Sequence, residues 1–186
     1  MKKLLLMVVA AVMVTVRLSA QEMFIKPMVG GSLSTLVGSL SLTENKMRAG
    51  LVAGAEFGYG FSSQMGISVG VLYSMQGCKI EDEFNKDYLK LDYINIPVLF
   101  NYDVIPGLAI KAGPQLGYCV KHGPGSEWNN LDFSVPLGLS YEVSNFVIDA
   151  RYNLGLSNVI QMMGRDGDES LRNSVIQLTL GYMIPF

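Results

Sequence analysis

The sequence predicts an all-β protein, an eight-stranded antiparallel up-and-down transmembrane β-barrel preceded by a cleaved signal peptide. Three observations predict this fold. Apolar residues make up 49% of the 186-residue chain and charged residues only 16%, against roughly a quarter in soluble domains. No apolar stretch of about eighteen residues follows the N-terminal segment, so no transmembrane helix is predicted. Apolar and polar residues alternate with a period of two in eight segments, which indicates strands with two unlike faces.

Residues 1–20 have the pattern of a secretory signal peptide. Lys2 and Lys3 precede a short apolar run, and Ala20 stands where a signal peptidase would cut. The run is too short to span a bilayer as a helix. The sequence therefore predicts a signal peptide at 1–20 and one outer-membrane β-barrel domain at 21–186. Cleavage leaves eleven basic residues against sixteen acidic ones, a net charge of −5, so no nucleic-acid partner is expected.

The eight predicted strands follow one another along the chain. The alternation is clearest near the C-terminus, where Ile176, Leu178 and Leu180 are separated by Gln177 and Thr179. The predicted strands lie at 24–35, 50–61, 65–76, 93–102, 108–120, 131–143, 146–156 and 176–186. A tilted strand needs roughly nine to eleven residues to cross a bilayer, and each segment is long enough.

The connections between the predicted strands alternate in length. Those after strands two, four and six are short, and those after strands one, three, five and seven are long and polar. This alternation is typical of outer-membrane barrels and places both termini in the periplasm. Five strand prolines, which lack a backbone donor, are expected to cause bulges or lost hydrogen bonds. They are Pro27, Pro97, Pro114, Pro136 and Pro185.

The composition of the polar face indicates which side of the barrel meets lipid. A water-facing strand surface would carry Lys, Glu, Thr and Arg, as in a lipocalin-like barrel, whereas this face carries mostly Gly, Ser, Asn and Gln. Small residues fit the narrow interior of an eight-stranded barrel. The apolar face is therefore predicted to face lipid, with aromatic girdles at both rims. The periplasmic girdle comprises Phe57, Tyr59, Phe61, Phe100, Tyr102, Tyr141, Phe146, Tyr182 and Phe186, and the outer girdle Tyr73, Tyr93, Tyr118 and Phe133.

Seven charged residues fall on the inward face and form a predicted interior polar network. They are Lys26, Glu56, Lys111, Asp132, Glu142, Asp149 and Arg151. All except Asp132 are expected toward the periplasmic half. They would serve either as an ion path or as a packed ion-pair network that plugs the lumen. The plug is favoured, because a filled eight-stranded lumen has little room for water and buried charges are tolerated when paired.

The C-terminal strand carries a second set of candidate functional residues. Thr179, Gly181, Tyr182, Ile184 and Phe186 resemble the C-terminal signal by which the outer-membrane assembly machinery recognises its clients. The resemblance implies that this machinery is a partner during biogenesis.

Five strings spread over the mature chain resemble the PorT-like outer-membrane β-barrel family common in Bacteroidetes. They are "YINIPVLFNY", "KAGPQLGY", "DFSVPLGLSYEV", "IDARYNLGLSNV" and "RNSVIQLTLGYMIPF". The resemblance implies an eight-stranded barrel of the OmpA/OmpX type. It does not imply one activity, because named members of the family include secretion accessories.

Three loop or thiol features are further candidates for sites. His122 lies near Ser126 and Glu127, but a lone loop histidine is usually solvated, so no catalytic residues are assigned. The acidic segment at 165–170 lacks a calcium-loop glutamate at its twelfth position, where Gln177 stands, so no metal site is assigned. Two cysteines in an exported chain invite a disulfide, but Cys78 and Cys119 lie on strands separated by a third strand, beyond the usual span of a disulfide, so free thiols are favoured.

The function predicted from the sequence is a plugged outer-membrane barrel that acts structurally or through its extracellular loops. It is expected to be no enzyme and to need no cofactor. Its expected partners are outer-membrane lipids, the assembly machinery, and a secretion complex or a protein bound by the loops. Three alternatives remain: a PorT-like secretion or transport accessory, a narrow porin, and, least favoured, a lipid-acting enzyme.

Overall fold

The computed structural model describes residues 23–38, 45–81, 86–121, 130–157 and 171–186. These residues form ten β-segments: β1 (Met23–Gly38), β2 (Asn45–Gly60), β3 (Met65–Glu81), β4 (Lys86–Ile105), β5 (Leu108–Ala112), β6 (Gln115–Lys121), β7 (Leu131–Val143), β8 (Phe146–Gly155), β9 (Leu171–Tyr182) and β10 (Ile184–Pro185). Within these ranges no helix is long and apolar enough to cross a membrane. The predicted signal peptide at 1–20 lies outside the described residues.

The ten segments form eight antiparallel barrel strands. β5 and β6 both lie between β4 and β7, and together they make one strand that is interrupted at Gly113 and Pro114. β9 and β10 both pair with β1 and are separated only by Met183. Because β1 pairs with β2 on one edge and with β9 on the other, the sheet closes and has no free edge along this seam. The predicted eight-stranded antiparallel barrel is confirmed.

The register fixes how far the strands are displaced around the barrel. A path of paired residues that starts at Met23 returns to β1 at Leu33, ten residues further along. The path runs through Tyr59, Ile67, Phe100, Ala112, Leu137, Tyr152 and Ile176. A displacement of this kind is what tilts the strands of a barrel by about 35–45° from its axis.

The strand prolines disturb the ladder unequally. Pro114 lies in the break between β5 and β6, and the pairing of β3 with β4 is interrupted opposite Pro97. Pro27 and Pro136 stay in register, opposite Ala55 and Asn153. The expectation of lost pairing is therefore met at Pro97 and Pro114, and at neither does the register shift.

The two ends of the barrel differ in how the chain leaves the strands. At one end, called the turn end, short connections at 61–64, 106–107 and 144–145 join consecutive strands. Two of these turns use left-handed backbone, at Gly107 (φ 84°) and Ser144 (φ 58°). At the opposite end, called the loop end, the chain continues into residues 39–44, 82–85, 122–129 and 158–170, which lie outside the described residues.

The outer surface of the barrel is apolar along the described strands. Large side chains such as Val29, Leu51 and Leu178 are 59%, 61% and 59% exposed, a pattern suited to hydrocarbon and not to water. Three aromatic pairs lie near the turn end on this surface: Phe57–Phe186, Phe61–Phe100 and Phe146–Tyr182. Among the predicted girdle residues Tyr59 is half-buried and most of the others are exposed.

The predicted place of Tyr93 in the outer girdle is wrong. Its side chain is buried, 1% exposed, because Tyr93 shares the inward face of β4 with Asn95 and not the outward face with Ile94. The alternation of the strand therefore overrides the general preference of tyrosine for the membrane interface.

Candidate functional site

The interior of the barrel contains a cluster of five charged side chains near the turn end, called the ion cluster. Its members are Lys26 on β1, Glu56 on β2, Lys111 on β5, and Asp149 and Arg151 on β8. Strand alternation directs each of them inward, and all five are buried. Lys26 and Glu56 are register partners, so two of the opposite charges meet across neighbouring strands.

The two carboxylates each contact all three cations. Lys26 Nζ lies 2.9 Å from Glu56 Oε2 and 2.5 Å from Asp149 Oδ2, and the second of these contacts is also a hydrogen bond donated by Lys26. Lys111 Nζ lies 3.0 Å from Asp149 Oδ1 and 3.7 Å from Glu56 Oε2. Arg151 Nη2 contacts Glu56 Oε1 and lies 3.5 Å from Asp149 Oδ1. The cluster is therefore one network and not a set of separate pairs.

Glycines make room for the long charged side chains. A Cβ atom at Gly181 would lie 2.8 Å from Lys26 Cγ, and one at Gly138 would lie 3.0 Å from Arg151 Cγ. A larger residue at either position would overpack the lumen. At these two positions the absence of a side chain therefore provides the volume that Lys26 and Arg151 occupy.

An apolar layer follows the ion cluster toward the loop end. Met28, Val52 and Leu72 form a buried hydrophobic group, with exposed fractions of 5%, 0% and 1%. Met28 is the next inward residue after Lys26 along β1. This layer was not predicted from the sequence, although these residues occupy the same alternate, inward-facing strand positions as Gly30, Ser32 and Ser74. On this side of the lumen, apolar side chains therefore replace the polar lining that an ion path needs.

Beyond the apolar layer, amide and hydroxyl side chains from opposite parts of the wall bind one another. Gln76 Nε2 donates to Ser74 Oγ over 3.1 Å, Gln177 Nε2 donates to the same oxygen over 3.4 Å, and Asn173 Nδ2 donates to Gln76 Oε1. Ser34 Oγ donates to the Gly77 carbonyl over 2.7 Å. This amide layer connects β3 with β9 through the middle of the barrel, and it too was not predicted from the sequence.

Two of the seven predicted network residues lie outside the ion cluster. Asp132 is buried toward the loop end, where its Oδ1 accepts a hydrogen bond from Ser157 Oγ over 2.5 Å. Glu142 is exposed at the turn end. The structure thus brings together Lys26, Glu56, Lys111, Asp149 and Arg151, and places Asp132 and Glu142 elsewhere.

The turn end of the lumen is an open cavity of about 440 Å³. Its lining includes Asn101, Asp103, Ser140, Glu142 and, at the ion cluster, Lys111. Lys111 Nζ is already held by Asp149. We call this cavity the vestibule. The ion cluster therefore lies at its inner end.

Several candidate site residues lie in parts of the chain that the structure does not describe. His122, Ser126, Glu127 and the acidic segment at 165–170 are outside the described residues, as is the side chain of Cys78. Cys119 is a buried free thiol. Within the described ranges, no group of three or more His, Cys, Asp or Glu residues could hold a metal ion.

The C-terminal residues occupy both faces of the last barrel strand. Thr179 and Gly181 are buried on the inward side, and Tyr182, Ile184 and Phe186 are exposed on the outward side. The Phe186 backbone amide donates to the Met23 carbonyl over 2.9 Å, so the final residue is tied to the first described one.

A closed eight-stranded barrel with an apolar outer wall and a polar, filled interior defines an integral membrane β-barrel protein. A model of the outer membrane protein beta-barrel domain matches residues 15–161, and the chain belongs to this family. The protein is therefore an outer-membrane β-barrel protein. A comparison with curated proteins found no match.

Solved structures with a similar fold are also outer-membrane barrels. Ail of Yersinia pestis is 16% identical with a TM-score of 0.53, and the match covers 89% of this chain and 100% of that one. Neisserial surface protein A is 14% identical with a TM-score of 0.52 over 88% and 99% of the two chains. OprG from Pseudomonas aeruginosa is 9% identical with a TM-score of 0.51 over 87% and 95%. At these identities the likeness concerns the fold alone.

Proposed function

We propose that the protein is a closed outer-membrane barrel that does not conduct ions and that holds its loop-end connections in place for contact with a partner. The single observation that carries the proposal is the succession of three groups of packed side chains along the lumen. These layers are the ion cluster, the apolar group of Met28, Val52 and Leu72, and the amide layer of Ser74, Gln76, Asn173 and Gln177.

The layers oppose conduction in different ways. An ion that entered from the vestibule would have to separate Lys111 from Asp149, and a buried ion pair is costly to break. On the β1–β3 side of the lumen it would then meet the apolar group, which offers no polar atoms to replace the hydration shell of an ion. An eight-stranded barrel is just wide enough for side chains to fill, which leaves no space for a bypass.

The orientation of the barrel is part of the proposal. In outer-membrane barrels the short turns face the periplasm and the longer connections face outward. The turns at 61–64, 106–107 and 144–145 support a periplasmic turn end and two periplasmic termini. The connections at the loop end would then lie outside the cell and would supply the contact surface.

The proposed partners follow from this arrangement. Outer-membrane lipids cover the apolar wall, and the assembly machinery recognises Thr179, Gly181, Tyr182, Ile184 and Phe186 during biogenesis. A protein bound at the loop end is the third partner. The resemblance to the PorT-like family supports a secretion complex as its identity. No catalytic role is proposed.

Planar-bilayer recording of the refolded protein tests the closed lumen. We expect no discrete conductance steps from the protein under conditions in which a sixteen-stranded porin, whose lumen is water-filled, gives clear steps. A double variant, Met28→Ala with Leu72→Ala, removes side chains from the apolar layer and is expected to give occasional openings. Stable steps from the unaltered barrel would contradict the proposal and favour a narrow porin.

Affinity capture from native membranes tests the interactive role. The full-length protein is compared with a variant in which a Gly-Ser linker replaces residues 158–170, so that the described strands are unchanged. A partner that binds only the full-length protein supports contact at the loop end. A partner retained by both proteins would place the contact elsewhere on the barrel.

A further inference from the structure

The ion cluster contains one more positive charge than negative charge. Its cations are Lys26, Lys111 and Arg151, and its carboxylates are Glu56 and Asp149. All five residues are at most 5% exposed, so contact with water does little to offset the difference. A net charge in a buried site is costly unless an opposite charge compensates it. The ion cluster is therefore short of one negative charge.

The carboxylates outside the ion cluster do not supply this charge. Among the described side chains, four others lie toward one end of the barrel, namely Asp92, Asp103, Asp132 and Glu142. Asp103 and Glu142 line the vestibule but are exposed, so water screens their charges. Asp92 and Asp132 are buried toward the loop end. Along β7, Asp132 is six residues from Gly138, the register partner of Arg151, which is a separation of about 20 Å.

Four buried nitrogen donors adjoin the ion cluster and lack a hydrogen-bond partner. They are Arg151 Nε and Nη1, Asn95 Nδ2 and Asn153 Nδ2, none of which is bonded to any described residue. Asn95 and Asn153 are each 2% exposed, and Asn153 Oδ1 is also without a partner. Buried polar side chains are normally hydrogen-bonded, so an exception of this kind requires an explanation. Because donors outnumber the acceptor, the group that completes this site accepts hydrogen bonds.

The register places these donors across the lumen from the apolar layer. Asn153 is the next inward residue after Arg151 along β8, toward the loop end. Asn95 on β4 is the register partner of Leu72, so it adjoins the apolar layer at the same level. β4 and β8 are separated by β7 and by the strand that β5 and β6 form, and the side chains of Asn95 and Asn153 both point inward. The β4–β8 side of the lumen is therefore polar where the β1–β3 side is apolar.

We propose that the lumen holds one chloride ion on this polar side, bound by Arg151, Asn95 and Asn153. The ion supplies the negative charge that the ion cluster lacks and accepts hydrogen bonds from the open donors. A water molecule would accept the same hydrogen bonds but would leave the surplus positive charge in place. A larger anion, such as phosphate, does not suit a lumen that side chains fill. The chloride is a fixed part of the interior, so the inference goes beyond the closed lumen and requires no path through it.

Crystals of the unaltered barrel, refolded and grown in sodium bromide, test the site directly. Bromide replaces chloride and is located by its anomalous scattering. We expect one anomalous peak inside the lumen, within hydrogen-bond distance of Arg151 and Asn153. A lumen without a peak, or bromide found only on the outer surface as an adventitious ion, would overturn the proposal. This measurement needs no variant.

Urea unfolding in lipid vesicles tests the effect of the ion on stability. The unaltered barrel is compared in mixtures of sodium chloride and sodium gluconate at equal ionic strength, so that screening is constant. Above its dissociation constant, an ion that binds only the folded barrel raises the ratio of folded to unfolded protein about tenfold for each tenfold rise in its concentration. No dependence on chloride would refute the proposal and would indicate that the surplus charge is removed in another way, for example by loss of a proton from Lys111.

Three variants separate the contribution of the donors from that of the charge. Asn153→Leu removes an open donor, whereas Gln115→Leu removes an inward amide that already donates to Ser134 Oγ over 3.0 Å. We expect Asn153→Leu to need about tenfold more chloride or more for the same stabilisation, and Gln115→Leu to respond like the unaltered barrel. Lys111→Met removes the surplus cation and is expected to weaken the chloride dependence as well.

Each variant is compared with itself in the two salts, so a general loss of stability cancels. A chloride dependence that is unchanged in both Asn153→Leu and Lys111→Met, or that is lost equally in Gln115→Leu, would contradict the site. Because ion conductance is not measured, failure here is distinguishable from failure of the closed lumen.

Discussion

Lys26 and Asp149 are 123 residues apart in the sequence, yet Lys26 Nζ donates a hydrogen bond to Asp149 Oδ2 over 2.5 Å in the buried interior of the barrel, near its turn end. β8, which carries Asp149, is separated from β1 by β9. The contact passes over Gly181 of β9, where a Cβ atom would lie 2.8 Å from Lys26 Cγ. The pair therefore stabilises the β1–β9 pairing from inside the lumen, in addition to the backbone hydrogen bonds between the two strands.

Loss of the Asp149 charge is expected to destabilise the barrel strongly. Asp149→Asn keeps the shape of the side chain but leaves Lys26, Lys111 and Arg151 with Glu56 alone. Removal of one partner from a buried ion network typically costs about 3–5 kcal/mol. Urea unfolding in lipid vesicles measures the change in the free energy of unfolding. Asp103→Asn is the control, because Asp103 is exposed at the turn end, and a loss below about 0.5 kcal/mol is expected there. Similar values for both variants would mean that the ion cluster contributes nothing.

Gly30 and Gly31 are adjacent on β1 but are predicted to differ in their tolerance of alanine. A Cβ atom at Gly30 would lie 2.0 Å from the Leu178 carbonyl oxygen, whereas at Gly31 the nearest heavy atom would be 3.7 Å away. Gly30→Ala therefore forces the β1–β9 seam apart, at a cost of about 1–3 kcal/mol or more. Gly31→Ala is expected to be neutral or to stabilise by up to about 1 kcal/mol. The fraction of folded barrel on unboiled gels and the unfolding free energy report both effects, and equal tolerance would argue against this register.

A charge on the outer wall is expected to cost more at the middle of the barrel than at its rim. Leu178 pairs with Gly31 and Ala150 in the middle of its neighbouring strands, and Val143 adjoins the turn at 144–145. Leu178→Arg should cost about 2–4 kcal/mol and Val143→Arg about 0–1 kcal/mol, because the penalty depends on depth in the bilayer. Unfolding in vesicles compares the two variants. No difference between them would contradict a lipid-facing wall.

A comparison of substitutions at Phe186 and at Phe146 distinguishes a role in assembly from a role in stability. Both rings are exposed at the turn end and both belong to aromatic pairs, with Phe57 and Tyr182 respectively. Alanine at either position removes a pair worth about 0.5–1.5 kcal/mol beyond area burial, so the two variants should lose similar stability in vitro. If Phe186 is part of the assembly signal, only Phe186→Ala will also lower the amount of barrel in the outer membrane. Equal amounts of both variants in cells would refute that role.

The strands and their facing could be predicted because side-chain alternation is a local property of extended backbone. The parity of Lys26, Glu56 and Asp149 already places them inside a barrel. The same parity applies to the apolar layer of Met28, Val52 and Leu72, which the pattern does not predict, because alternation of apolar and polar residues assigns apolar side chains to the lipid face. The same assignment misplaces Tyr93 at the rim.

The assembly of the ion cluster could not be predicted, because it depends on register. Which inward residues reach the same level is decided by the displacement of ten residues around the barrel, a property of the closed sheet. Asp132 and Lys26 have the same parity and both are buried, yet Asp132 binds Ser157 and contributes nothing to the cluster. The sequence of a single strand therefore does not show that Lys26 belongs to the cluster and that Asp132 does not.

The pairing of β1 with β9 also sets the order of events during synthesis and export. β9 is synthesised after β1, so the pairing that closes the ring cannot form until β9 has emerged. Until then β1 offers an unsatisfied row of amides and carbonyls to any other extended chain. This edge of β1 is satisfied only when β9 pairs with it and the ring closes.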